Sequence, residues 1–135
     1  MREFDTETLY MLRLFEDVTG TEARDCVLDR NNGSVVFVVE SGKMGLAIGK
    51  NGMNIKIVEK LLKKHVRLFE FSEDVEKFIR NLIPYARKIR VDGERAVVWV
   101  DPKKRGSVIG KNGSNINLIR KILERNTKIA KLEVR

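Results

Sequence analysis

The sequence predicts an α+β protein built from two tandem copies of one small unit, each a three-stranded sheet with helices on one face. Three observations lead to this prediction: a gapless internal repeat, apolar residues at helical spacing ahead of each copy, and a hairpin signal inside each copy. The order expected in each copy is α-β-β-α-α-β, which places all the helices on one side of the sheet.

The repeat defines the two units. A shift of 61 residues aligns residues 35–65 with residues 96–126 without a gap, and thirteen of these 31 positions are identical. The segment Ile-Gly-Lys-Asn-Gly at residues 48–52 recurs unchanged at residues 109–113. So many identities in one register indicate a duplication, and each copy is expected to be one structural unit. We therefore expect domains over residues 1–70 and 71–135.

A helix is expected at the start of each copy. Apolar residues there follow the i, i+3, i+4, i+7 spacing of one helix face; they are Met11, Leu14, Phe15 and Val18 in the first copy and Val75, Phe78, Ile79 and Leu82 in the second. Thr6 with Glu7, and Ser72 with Glu73, are the expected N-terminal caps. Gly20 is the expected stop of the first helix.

The hairpins and the remaining elements follow from turn signals. Asn-Gly at residues 32–33 and Asp-Gly at residues 92–93 favour tight hairpins, because these residues tolerate positive φ. We expect strands over residues 24–29 and 35–39 and over residues 87–91 and 96–100. After the repeated motif, a helix is expected over residues 53–64 and 114–125, and a final strand over residues 67–71 and 128–134.

Composition and charge limit the class of protein. The net charge is +8, but residues 1–40 hold four basic and nine acidic side chains, and the remainder holds 23 basic and 10 acidic ones. A basic region of this kind favours a polyanion as partner, with a generally basic soluble surface as the alternative. No apolar run approaches about 18 residues, so neither a membrane helix nor a signal peptide is expected. The single cysteine, Cys26, is expected to be a buried hydrophobe in a cytoplasmic protein.

The repeated motif has the chemistry of an anion site. Two glycines allow a sharp backbone turn and the close approach of a ligand, and the helix after the turn directs free N–H groups and its positive dipole end toward the turn. Lys50 and Lys111 add a full positive charge, while Asn51 and Asn112 add donors and acceptors with little bulk. One such turn alone is more often a simple helix–helix connection; its recurrence in the same context favours phosphate binding.

Catalysis and cofactors are not expected. His65 is the only histidine, and Asn126 stands at its place in the second copy. Paired carboxylates, a Ser/His/Asp set or a Cys/His metal cluster do not recur between the copies. The Walker pattern fails as well, because neither Gly-Lys pair is followed by Ser or Thr. We expect no metal, no cofactor and no enzyme activity.

The pattern Ile-Gly-x-x-Gly between two helices resembles the signature of the KH domain, whose loop clamps about four nucleotides of a single-stranded backbone. The element order resembles the type II variant, so the resemblance implies two tandem type II KH domains. The whole chain resembles the KH pair of the NusA family of transcription elongation and termination factors, most closely its short archaeal members. The longer bacterial members carry a polymerase-binding domain and an S1 domain ahead of this pair, and neither is found in these residues.

The resemblance implies binding of single-stranded RNA by a monomer, with RNA polymerase as a candidate partner and no contact with membranes. It assigns the phosphate clamp to Gly49, Lys50, Asn51, Gly52, Gly110, Lys111, Asn112 and Gly113. It assigns an apolar floor for bases to Ile48, Ile55, Ile109 and Ile116. Asn54 and Asn115 would bond RNA or cap their own helix, and Lys43 and Lys104 would neutralise phosphates at the edge of the groove.

Three points remain open at this level. No Gly-, Pro- or Ser-rich linker separates the copies, so we expect two clamps in fixed register on one RNA strand. The sequence hardly separates a role in transcription from that of a KH factor in ribosome assembly or RNA processing. A scaffold that has lost RNA binding is a third reading, and the Lys and Asn kept in both loops argue against it. Trp99 is expected in the core, with base stacking as the alternative.

Overall fold

The computed structural model describes residues 4–135 and contains two compact units. The first unit ends at Ser72 and the second begins at Glu73. Within the described residues, no helix has both the length and the apolar character needed to cross a membrane.

The first unit has six principal elements in the expected order. They are α1 (Thr6–Thr19), β1 (Ala23–Asp29), β2 (Ser34–Val39), α2 (Met44–Ile48), α3 (Met53–Leu62) and β3 (His65–Glu70). Strand β2 is central; it pairs antiparallel with β1 and parallel with β3. The second unit repeats this arrangement with α4 (Val75–Leu82), β4 (Ala86–Asp92), β5 (Arg95–Val100), α5 (Pro102–Ile109), α6 (Ser114–Asn126) and β6 (Lys131–Val134), and β5 is its central strand. The expected α+β class and the two three-stranded sheets are confirmed.

The core of the first unit lies between one face of the sheet and the helices. Val35, Phe37 and Val39 alternate along β2 and are fully buried against Phe15 of α1. The rings of Phe15 and Phe37 are stacked with centroids 4.4 Å apart. Cys26 is 2% exposed and belongs to this core, as expected of a small apolar side chain.

The caps of the leading helices differ from the sequence prediction. Helix α1 is capped by Asp5 rather than Thr6, because its carboxylate accepts a hydrogen bond from the backbone N of Thr8. This bond and that from the Thr8 hydroxyl hold the pKa of Asp5 below its usual value. Helix α4 is capped by Asp74 rather than Ser72, since Asp74 accepts from the backbone N of Lys77. Gly20 ends α1 in the left-handed conformation, as predicted.

The last strands differ slightly from the predicted ranges. Helix α3 ends at Leu62 because Lys63 takes a left-handed conformation with φ of 56°, and β3 therefore starts at His65. In the second unit the helix continues to Asn126, and β6 starts only at Lys131. Both strands lie at the edge of their sheets.

Candidate nucleic-acid interface

The two motif loops have the same backbone conformation. Gly49 and Gly110 both have φ of 76°, with ψ of 170° and 171°. Asn51 and Asn112 lie in the left-handed region at φ of 56° and 55°. Each loop closes with a second left-handed glycine, which also forms the N-terminal cap position of the next helix. The duplication has therefore preserved a conformation as well as a sequence.

The first glycine of each loop is required for two independent reasons. Its φ and ψ values fall in a region that only glycine occupies readily. A Cβ atom at Gly49 would lie 2.7 Å from Cγ of Asn54, and one at Gly110 would lie 2.8 Å from the backbone N of Asn115. The polypeptide is packed so closely at these points that any side chain would collide with the start of the following helix.

Asn54 and Asn115 have a role that the sequence did not indicate. The Nδ2 atom of Asn54 donates to the Leu46 carbonyl at 2.8 Å, and that of Asn115 donates to the Val108 carbonyl at 2.8 Å. Each amide thus ties the helix after the loop to the helix before it. Of the two alternatives expected for these residues, the capping of their own helix is wrong, because neither α3 nor α6 has a side-chain cap at its N-terminus.

The groups suited to an anion all lie at the surface of the loops. Lys50, Asn51, Lys111 and Asn112 are exposed. The N-terminal cap positions of α3 and α6 are glycines, and neither makes a side-chain cap. The positive dipole ends of α3 and α6 and the lysines act in the same direction, so each loop presents positive charge to solvent.

The predicted apolar floor is only partly accessible. Ile48 is 39% exposed, whereas Ile116 is 4% exposed. Ile55 and Ile109 are intermediate between them. Leu46 and Met53 add to the exposed apolar surface at the base of the first loop, since they are 51% and 56% exposed. Serines stand at both positions in the second copy. The two surfaces beside the loops are therefore not equivalent.

The two predicted edge lysines also differ. Lys43 is exposed and occupies the residue before α2. Lys104 lies in α5, where its Nζ is 4.9 Å from the ring centroid of Tyr85. Both side chains remain at the surface, but Lys104 is directed toward an aromatic ring that is itself 50% exposed.

A groove in the second unit was not predicted from the sequence. It has a volume of about 380 Å³ and runs between α5, the loop, α6 and the edge strand β6, within the range of about 300–1,000 Å³ typical of small-ligand sites. Its lining comprises Arg105, Ile109, Gly113, Ile116, Asn117, Arg120, Leu132, Glu133 and Val134. Three predicted residues (Ile109, Gly113 and Ile116) thus meet two arginines and a strand that sequence reasoning did not assign.

The arginines bridge the groove to the edge strand. Arg120 donates from Nε and Nη2 to the Leu132 carbonyl at 3.2 and 3.0 Å, and Arg105 donates from Nη2 to the Val134 carbonyl at 3.2 Å. The acid beside them, Glu133, is paired with Arg95 and Arg135. Hydrogen bonds from Arg135 and then Arg95 hold the pKa of Glu133 below its usual value. The carboxylate therefore stays ionised, and the two arginines balance its negative charge.

Comparison with known proteins matches this geometry to a family. A model of the KH domain matches residues 13–81 and again residues 70–135. A "Probable transcription termination protein NusA" of Methanocaldococcus jannaschii is 37% identical over 136 residues, which cover 96% of this chain and 73% of that protein. A protein of the same name from Halococcus morrhuae is 34% identical, covering 91% of each chain. The chain belongs to the archaeal NusA-like family of KH proteins.

A solved structure is similar to this chain along almost its whole length. The crystal structure of APE1850 is 30% identical, covers 98% of this chain and 100% of that one, and superposes with a TM-score of 0.78. The Gly-x-x-Gly turn that characterises the KH domain lies at residues 49–52 and 110–113 of this chain.

Trp99 lies outside this groove and outside the fully buried core. It is half-buried in β5, with Lys88 Nζ 5.1 Å and Arg135 Cζ 5.6 Å from its ring centroid. The expectation of a core position is therefore only partly met, because the indole is packed between cations at the sheet surface.

Proposed function

We propose that this NusA-like protein binds single-stranded RNA through both KH loops and acts as a transcription elongation or termination factor on nascent RNA. One observation carries the proposal: two loops with the same backbone angles, each with an exposed lysine and each opening a helix that has no side-chain cap. Such a site suits a phosphate, because it combines fixed N–H donors, a helix dipole and a full positive charge.

The role in transcription rests on the relatives, which are named as transcription termination proteins. RNA polymerase is accordingly the protein partner to test, and a cytoplasmic monomer without catalytic activity is the form proposed. Co-purification with polymerase subunits would support this role. Recovery with pre-ribosomal particles instead would contradict it.

The proposed RNA-binding residues are the loop residues, their flanking isoleucines and asparagines, and the edge lysines predicted from the sequence. Asn54 and Asn115 act here by positioning, since their amides hold the two helices that frame each loop. Ile48 and Ile109 contact bases, and Lys43 and Lys104 contact phosphates.

The decisive test removes the loop chemistry and keeps the fold. Lys50 and Asn51, and Lys111 and Asn112, are replaced by aspartate, and binding to random single-stranded RNA is measured at several salt concentrations. We expect affinity to fall about 100-fold or more, and the slope of log affinity against log salt to become shallower by about 0.7 for each phosphate that is no longer bound.

A control variant separates loop chemistry from bulk charge. Lys77→Glu, Lys88→Glu and Lys128→Glu together produce the same change in net charge outside the loops and the groove. This variant is expected to bind RNA far better than the loop variant. Equal affinities for the two variants, or unchanged affinity in the loop variant, would refute the clamp.

We further propose that the two clamps act in fixed register on one strand. Strand β3 of the first unit ends at Glu70 and helix α4 of the second begins at Val75, so only the four residues 71–74 connect these elements. Two sites joined in this way gain roughly 10²–10⁴ in affinity over either alone when both can be occupied together.

A further inference from the structure

The second sheet has a face that is open to solvent and carries many charges. Successive residues of a strand point to opposite faces of the sheet. On β5, Ala96 and Val98 are fully buried, so the three residues that alternate with them point to the other side, which we call the outer face. The strand pairing and the contacts of Arg135 place three residues of β4 and three of β6 on the same side. The outer face comprises Lys88, Arg90, Asp92, Arg95, Val97, Trp99, Lys131, Glu133 and Arg135.

Positive charge dominates the outer face. Its five lysines and arginines are all exposed, and they face only two carboxylates. One of these carboxylates, Glu133, is already paired with Arg95 and Arg135. Among the described residues, no carboxylate forms an ion pair with Lys88, Arg90 or Lys131. These three cations are therefore available to a polyanion.

An indole lies in the middle of this charge. Trp99 is half-buried on the central strand, with Lys88 Nζ 5.1 Å and Arg135 Cζ 5.6 Å from its ring centroid. Cations at such distances are attracted to the face of the ring. Aromatic rings set among cations are typical of surfaces that bind a single nucleic-acid strand, because the ring stacks on a base while the cations neutralise phosphates.

The equivalent face of the first sheet has a different character. Matching strand pairs identify the residues of the first copy that stand at the places of Lys88, Arg90, Arg95 and Trp99. These residues are at most 5% exposed, and none is basic or aromatic; they are Asp25, Val27, Ser34 and Val38. The basic outer face is thus specific to the second copy and is not a consequence of the duplicated fold.

The outer face adjoins the groove beside the second loop. Gly113 of that loop lines one part of the groove, and Glu133 of β6 lines another. The Glu133 carboxylate also contacts Arg95 Nη2 at 2.9 Å, on the outer face. The edge strand β6 is therefore the only element between the groove and the outer face, and a strand of RNA bound at the second loop can continue across it.

We infer that the outer face of the second sheet is a further binding site for single-stranded RNA. In this site Trp99 stacks on a base, and Lys88, Arg90 and Lys131 neutralise the neighbouring phosphates. Stacking requires an unpaired base, which favours a single strand over a duplex as the ligand. The inference rests on the proposed function for its ligand, RNA, and uses none of the loop residues.

The fluorescence of Trp99 gives a direct test, because this is the only tryptophan of the chain. The full chain is titrated with oligouridine of about twelve nucleotides, three times the length that one loop clamps. We expect RNA to quench the emission of Trp99 as a base stacks on the indole. Polyglutamate of matched charge has no bases and should leave the emission unchanged. Equal binding and quenching by polyglutamate would show that the face suits an acidic protein, and would overturn the inference.

Two kinds of variant test the charges and the ring separately. Arg90→Glu with Lys131→Glu should weaken RNA binding and make the slope of log affinity against log salt shallower by about 1.4, as the loss of two phosphate contacts requires. Lys77→Glu with Lys128→Glu has the same charge change at exposed positions outside the loops, the groove and the outer face, and should bind RNA much better than this variant. Trp99→Leu should lower the affinity about five- to tenfold, the lower end of what the stacking of one base contributes. Trp99→Phe keeps a ring and should lose less.

The triple variant Lys77→Glu, Lys88→Glu and Lys128→Glu has lost one cation of the outer face. It should therefore bind the twelve-nucleotide RNA slightly less tightly than the unmodified chain, and still far better than the loop variant.

The outcomes distinguish this inference from the proposed function. If RNA binds without changing the emission of Trp99, and the outer-face variants bind as tightly as the unmodified chain, the inference is wrong and the clamp stands. If the loop variant binds RNA as tightly as the unmodified chain while the outer-face variants lose affinity, the clamp is wrong and the inference stands. If the unmodified chain binds no RNA, both are wrong.

Discussion

Replacing Gly49 by alanine should destabilise the first unit much more than replacing Gly52, although both glycines have positive φ. The backbone at Gly49, with φ of 76° and ψ of 170°, would cost a non-glycine residue about 1–3 kcal/mol. The new Cβ would also lie 2.7 Å from Cγ of Asn54. Moving the Asn54 amide away breaks its hydrogen bond to the Leu46 carbonyl, worth about 0.5–1.5 kcal/mol. The total is about 2–4 kcal/mol.

Gly52→Ala is the matched control. Gly52 has φ of 73° and ψ of 15°, and the nearest atom to an added Cβ is Lys56 Cε at 3.9 Å. Only the left-handed conformation is penalised there, by about 1–2 kcal/mol. Gly110→Ala should be at least as severe as Gly49→Ala, because the contact at 2.8 Å is with backbone N of Asn115 and rotation of a side chain cannot relieve it.

Hydrogen exchange followed by mass spectrometry measures the effect in each unit separately. In Gly49→Ala, amides of α2 and α3 should exchange roughly 30- to 1,000-fold faster, as a destabilisation of about 2–4 kcal/mol requires. Amides of the second unit are the internal reference. In the Gly49→Ala variant, the further substitution Asn54→Ala should lower the stability of the first unit only slightly, since the hydrogen bond of Asn54 is already broken. The reasoning is refuted if Gly49→Ala and Gly52→Ala have equal effects.

Three further predictions concern the loops and their setting. Asn51→Val should lower the free energy of unfolding of the first unit by about 1–2 kcal/mol, because a β-branched residue resists the left-handed conformation. Asn51→Gly should preserve thermal stability. Similar melting temperatures for the two variants would contradict this. Asp101→Ala should destabilise the second unit by about 1 kcal/mol in urea unfolding, since Asp101 caps α5 through Lys103 N and pairs with Arg87. Asp101→Asn should have a smaller effect, because the asparagine side chain still accepts the hydrogen bond of the cap. Insertion of a flexible linker of about ten Gly and Ser residues after Ser72 should weaken binding to RNA long enough for both clamps and leave short RNA unaffected; equal binding of long RNA would show that fixed register is unimportant.

The duplicated fold was accessible from the sequence because its signals are local or repeated. Helical spacing around Phe15 and Phe78, two hairpin turns and a gapless register were enough to order the elements. Errors arose where neighbouring residues compete for one role. Asp74 caps α4 although Ser72 also fits the pattern, because the choice depends on which side chain reaches the backbone N of Lys77.

The loop geometry was predicted less completely. The need for glycine was evident, but the left-handed conformation of Asn51 and Asn112 and the role of Asn54 were not. That role depends on a carbonyl eight residues earlier, in the other helix of the pair. Sequence spacing does not specify such a contact until the angle between two helices is known.

The groove could not be predicted for a different reason, which also bears on how the two copies have diverged. The loops themselves are identical between the copies, as the proposed binding of phosphate by both would require. Arg105 and Arg120 correspond to Met44 and Glu59, so identity between the copies does not mark them. The exchange of Glu59 for Arg120 reverses the direction of the hydrogen bond to the edge strand at a position that lines the groove of the second unit, so the copies differ where sequence identity gives no signal.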